Sequence, residues 1–188
     1  MEITLKDIAE RIAPLDYRDP AELHIQLRNP KVKALLVPST VGAGQTAAVK
    51  YEAREAIRAR LLLALLDIGL SSEELQGVNA ELSALNPLKV KGFVGGVMTA
   101  PPSCAKGYGV GLANLIRGTE AGESWVLRLR YVRTVDGARR ISTRIMWAEW
   151  DDREGRGTKA LDLLHAETHL GTLDVPASDL IRPLVRGA

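Results

Sequence analysis

The chain has a single cysteine, Cys104, among its 188 residues. One thiol cannot close an internal disulfide, which fits a reducing compartment. No recognisable histidine partner stands near Cys104 in sequence, so it reads as an inert side chain. Long apolar runs are missing too. A membrane-spanning helix needs about 18 apolar residues, and "LLLALLDIGL" is short and interrupted by Asp67. The N-terminal "MEITLKDIAERI" is charged and amphipathic and lacks the apolar stretch of a secretory signal, so a cytoplasmic protein is expected, with no membrane partner. A strong excess of either charge is also lacking. A net charge of +2 and an isoelectric point near 8.8 permit nucleic-acid binding without requiring it.

The residue patterns of common catalytic sites are scarce as well. The glycines of "GYGVGLANLIRG" fit neither G-x-G-x-x-G nor the Walker pattern with its lysine and hydroxyl. No nucleophile is matched with a base, and no pair of acids suggests proton transfer. His165 and His169, four apart and near Asp162, have the spacing to hold a metal on a helix. Glu167 lies midway between them, which is not H-E-x-x-H, and His24 is far away in sequence. The expectation is a non-enzyme with no cofactor and no metal.

What is present is helical periodicity with explicit start and stop signals. "TLKDIAERI" puts Leu5, Ile8, Ala9 and Ile12 on one stripe, with Thr4 and Asp7 spaced like a capping box and Pro14 expected to close the helix. Pro20 suits the first position of a second helix through "AELHIQLRN", with Leu23 and Leu27 inward and Pro30 ending or kinking it. "KALLVPSTVGAGQTAAVKY" reads as two short extended pieces around a glycine-containing tip. From Glu52 to Ile68 the pattern is strongly helical, with Ile57, Leu61, Leu65 and Ile68 on a stripe and Leu62 and Leu66 beside it. Gly69 supplies the left-handed residue that ends a helix. Ser71 and Glu74 then form a second capping box, with Leu70 and Leu75 as its hydrophobic staple.

These segments resemble the MerR-type winged helix-turn-helix domain over residues 1 to about 85. "LRNPKVKALLVP" is similar to that family's passage from recognition helix to wing. "KYEAREAI" is similar to the wing's return strand, and "RARLLLALLDIGLSSEEL" to the third helix, its glycine corner and the fourth helix. Asn29 and Pro30 stand where the family commonly has an aromatic pair, and Lys50 where it has an arginine. The resemblance implies a transcriptional regulator that binds double-stranded DNA as a homodimer, with a recognition helix at about 20–29 and a wing at about 37–51.

Such a helix must present polar groups to base edges, and His24, Gln26 and Arg28 are the candidates. Phosphates need cations: Lys31, Lys33, Lys50 and Arg54 cluster about the wing, next to Tyr51, with Arg58 and Arg60 on the helix behind. Gln45 and Thr46 offer neutral hydrogen bonds at the tip. The alternative is a winged module, of a phage-accessory or protein-interaction kind, that does not read DNA sequence.

After Pro87 the helical pattern gives way to glycine-rich sequence with a possible helix at about Leu112–Arg117. "SWVLRLRYVRTVDGARRISTRIMWAEW" is the clearest β signal. A two-residue loop at Asp136-Gly137 would send the two apolar sets to opposite faces. A three-residue loop, Val135 to Gly137, pairs Leu129 with Thr143 and Leu127 with Ile145 and sets Gly137 at its left-handed position. Arg128 then faces Arg144 beside Arg130, so that surface should meet water, acids such as Glu149 or Asp151, or another anion. "TKALDLLHAETHL" is the expected covering helix, and "SDLIRPLV" a short terminal segment. The expected architecture is α+β. A winged domain at 1–86 precedes a small α+β unit at 87–188, built on a long β-hairpin and a helix. That second unit would serve dimerisation or take a small-molecule or protein effector.

Overall fold

The computed structural model describes residues 1–40, 49–83, 111–148 and 168–186. They form seven helices and two three-stranded antiparallel sheets, a mixed α+β architecture. The chain divides into two compact units, Met1–Asn79 with Leu180–Ala188, and Ala80–Asp179.

In the first unit, strand β1 (Glu2–Ile3) leads into helix α1 (Leu5–Asp16). The expected capping box is present. The Thr4 N–H donates to Asp7 Oδ2 at 2.7 Å and the Asp7 N–H donates to Thr4 Oγ1 at 3.3 Å. The Thr4 amide, and then its hydroxyl, hold the Asp7 carboxyl below the ordinary aspartate value. Ile8, Ala9 and Ile12 are wholly buried. Pro14 does not close α1, which continues to Asp16. Pro14 and Glu10 are both exposed, so the carbonyl deprived of its N–H partner can be hydrated. Tyr17 makes the stop instead. Its backbone is left-handed (φ 54°), and the Arg18 N–H reaches back to the Ala13 carbonyl at 3.0 Å.

Residues 17–19 turn the chain into α2 (Pro20–Arg28), capped by Asp19 Oδ1 on the Ala21 N–H at 2.9 Å. Leu23 and Leu27 have no exposed surface. Pro30 ends α2 and at once opens a further short helix, α3 (Pro30–Lys33), capped by Asn29. Strands β2 (Pro38–Thr40) and β3 (Lys50–Glu52) follow, and β3 lies between β1 and β2. Tyr51 sits at its centre, opposite Ile3 and Pro38, and is 1% exposed.

Helix α4 (Glu55–Asp67) is buried nearly all round, as its wide apolar stripe requires. Ile68 departs from that stripe: it stands at the helix end and is exposed. Gly69 adopts φ 95° and Leu70 N–H returns to the Leu65 carbonyl, closing the helix. The second capping box opens α5 (Ser72–Ser83), with the Ser71 N–H on Glu74 Oε2 at 2.6 Å, and both Leu70 and Leu75 are buried.

The second unit begins with α6 (Leu112–Glu120), followed by β4 (Trp125–Arg133) and β5 (Arg139–Trp147). The hairpin has the three-residue loop, Leu129 faces Thr143, Leu127 faces Ile145, and Gly137 has φ 82°. A third strand, β6 (Thr168–Val175), pairs with the other edge of β4. The stretch expected as a covering helix is therefore extended at its described end, Thr168 to Leu170. The free edge of β4 pairs with the threonine-containing "THLGTLDV", a partnership between segments about 40 residues apart. Trp125, Leu127, Leu129, Ile145 and Val175 are buried, as are Leu112 and Leu115 of α6. Gly118 is what admits Trp125 beside α6: a methyl group there would collide with the indole. The last helix, α7 (Ala177–Arg186), has Ser178 in its first turn, whose hydroxyl accepts from the Trp125 N–H at 2.8 Å and lies 2.9 Å from Thr119 Oγ1.

Candidate nucleic-acid interface

The helix pair α1–α2 turns one side of α2 inward and leaves the other bare. At about 100° per residue, Leu23 and Leu27 define the inner line, and Ala21, Ile25 and Arg28 fall on the outer one. Of the base-reading candidates, Gln26 and Arg28 are exposed and His24 is half-buried on the flank. Ile25 was not among the expected contacts, yet it is 70% exposed at the crest of the helix. The helical period that assigned Leu23 and Leu27 to the core already puts Ile25 opposite them.

Lys31 and Lys33 are exposed on α3, just beyond Arg28. None of these three cations forms an ion pair among the described residues. The wing differs. Lys50 is exposed but lies 3.5 Å from Glu2 Oε2, and Arg54 Nε lies 2.8 Å from Glu52 Oε2. The Thr40 and Ser39 hydroxyls, together with Lys50, hold the Glu2 carboxyl below its ordinary range. The exposed cations without ion pairs thus lie at the corner between α2 and α3, while Lys50 and Arg54 beside β3 are offset by Glu2 and Glu52. The open groove beside it, lined by Glu2, Ser39, Glu52 and Arg54, carries two carboxylates and is a poor phosphate cradle.

Three expected contributors to this surface are inside the unit. Tyr51 is buried because it is the inward residue of the central strand; burial, and then the Glu55 carboxylate, push its phenol up from the usual value. Arg58 and Arg60 are each 6% exposed. Arg58 Nε pairs with Glu55 Oε2 at 3.0 Å, and its Nη1 donates to Asn79 Oδ1 at 2.6 Å. Glu55 also accepts the Val37 N–H at 3.0 Å. Arg60 grips Asp16 Oδ1 at 2.7 Å, the Leu15 carbonyl at 3.1 Å and the Leu180 carbonyl. These guanidiniums satisfy internal acceptors and cannot reach a phosphate. Gln45 and Thr46 lie outside the described residues.

The other candidate chemistries gain no constellation here. His169 is on β6, with Nε2 at 2.9 Å from Thr172 Oγ1. Asp162, His165 and Cys104 lie outside the described residues. Among the described residues, no three His, Cys, Asp or Glu side chains gather as a metal ion would need, and no helix is long and apolar enough to cross a membrane. No protein-family model matches the chain, and no curated protein matches it.

Proposed function

We propose that the first unit is a MerR-like winged helix-turn-helix domain and that the chain is a sequence-specific DNA-binding transcriptional regulator acting in the cytoplasm. The reading assigns α2 to the major groove and the β2–β3 hairpin to the flanking backbone. The observation that carries it is the two-sidedness of α2. Leu23 and Leu27 are 0% exposed, while Gln26 and Arg28 are open to solvent, followed by Lys31 and Lys33. Gln and Arg side chains make bidentate contacts to adenine and guanine. Ile25 supplies an apolar surface for a thymine methyl. Lys31 and Lys33 neutralise phosphates and set the register without reading bases.

A homodimer, formed through the second unit, would read a palindromic site with half-sites one or more helical turns apart. A small-molecule or protein effector would act on that same unit. Selection of bound duplexes from a random pool tests the whole reading: a consensus with twofold symmetry is expected. No retained duplex even at low salt would overturn it.

One observation favours the second reading, a winged module that contacts a protein and reads no sequence. Glu2 and Glu52 offset Lys50 and Arg54 at the wing, and Glu22 is exposed on α2. Under that reading, the pool yields no consensus and a protein partner is retained in its place.

A further inference from the structure

The second unit carries a concentration of one charge that the first unit's interface does not use. Residues 125–148 and 168–175 contain six arginines and two aspartates, with no lysine and no glutamate. Strand alternation sends Val126, Arg128, Arg130 and Val132 to one face of β4. The register sets Met146, Arg144, Ser142 and Arg140 directly across from them. From β6, Asp174 and Thr172 join opposite Arg128 and Arg130.

One arginine pair opposes on this face, Arg128 with Arg144; a second, Arg133 with Arg139, opposes on the other face. Like charges directly across a ladder destabilise it. Asp174 answers one of this pair: its two carboxylate oxygens take Arg128 Nε and Nη2, each at 2.8 Å. That fork-to-fork pair draws the Asp174 carboxyl down, with each of its two oxygens accepting from Arg128. On this face Arg140 and Arg144 are exposed and form no ion pair among the described residues, although the Asp136 carboxylate at the loop feels the charge of Arg140. An arrangement that sustains such repulsion is matched to an anion from outside.

We propose that this arginine face is a second phosphate-binding surface, taking the sugar-phosphate backbone of duplex DNA. It rests on the reading that the chain binds DNA, but it lies in the other unit. Arg140 and Arg144 are four residues apart on one strand, roughly 13 Å, comparable with the ~12 Å width of the major groove. They can therefore meet phosphates on its two sides. Single-stranded nucleic acid fits less well, because it needs aromatic stacking platforms. Trp125, Tyr131 and Trp147 all alternate to the opposite face.

The test compares the full chain with Arg140→Gln/Arg144→Gln and with Lys31→Gln/Lys33→Gln, by fluorescence anisotropy on a random-sequence duplex across a salt series. Losing two phosphate contacts lowers the slope of log affinity against log salt by about 1.8. The charge-preserving Arg140→Lys/Arg144→Lys chain should restore that slope. If the wild-type chain binds and the Gln pair leaves affinity and slope unchanged, the surface is refuted while the α2 reading survives; a face made for an acidic protein would give this result. Loss with the sheet variant alone, and none with the lysine variant, supports the surface and refutes the α2 reading. Absence of any wild-type binding refutes both.

Discussion

Helices α2 and α4 distribute their side chains in opposite senses. Helix α4 takes two arginines and a glutamate inside, whereas α2 leaves an isoleucine at its crest. Each inversion departs from the simple rule of apolar inside and charged outside, and each says something different. A buried guanidinium is tolerated when every donor finds an acceptor, so Arg58 and Arg60 fix how α4 docks on its neighbours. A single exposed isoleucine is ordinary on a protein surface and needs no internal account; what it adds is an apolar group beside Gln26 and Arg28 on the open side of α2. The number of cations near the expected wing was therefore a poor guide to which of them are exposed. Their burial and partners separate those that hold the unit together from those left at its surface.

The sharpest way to break this contrast is to remove a buried arginine. Arg58→Ala leaves the Glu55 carboxylate buried without its guanidinium, and the first unit should lose about 3–5 kcal/mol in a urea titration. A loss below 1 kcal/mol would mean that Arg58 is as dispensable as a surface charge. On α2 the expected effect is on recognition. Arg28→Ala should weaken binding to a selected site by about 1–3 kcal/mol and relax the preference at one base, with unfolding unchanged.

Ile25 provides a finer test. Replacing the relevant thymine by uracil removes only a methyl group and should cost about 0.8 kcal/mol, close to fourfold. In Ile25→Ala the two duplexes should bind alike. If uracil weakens the Ala chain as much as the wild type, another residue makes the contact.

The smallest effect concerns a half-exposed pair. Asp174→Asn should cost the second unit no more than about 1 kcal/mol at pH 7. The Asp174 carboxyl is depressed in the folded chain, so its contribution exists above the ordinary value of 3.8 and is lost as pH falls through the lower, folded value. Denaturation of the two chains should therefore converge on acidification below pH 3.8.

Local chemistry was legible in the sequence wherever a few neighbouring residues decide the outcome. Thr4 with Asp7, Ser71 with Glu74, Gly69, and the Val135–Gly137 loop each act within one turn, and the hairpin register follows from loop length. Features that depend on remote partners were not legible. β1 is two residues long and has no periodic signal of its own. β6 is extended because β4 offers it an edge, although its leucines continue the spacing of the preceding segment. Burial of Arg58 and Arg60 depends on Asn79, Asp16 and backbone carbonyls elsewhere in the chain. At the interface, helical period indicated the exposed side of α2, but a search confined to polar side chains passed over Ile25. The neutralising role of Glu2 depends on β1 pairing with β3, which no short-range pattern reveals.

Val37, Glu55, Arg58 and Asn79 form a continuous polar relay from the chain entering β2, through α4, to α5. Because one carboxylate serves both the backbone entering β2 and the Arg58 guanidinium, that backbone and α5 share one anchor on α4. A disturbance delivered at Asn79, such as Asn79→Ala, should emerge as faster hydrogen exchange of the Val37 amide.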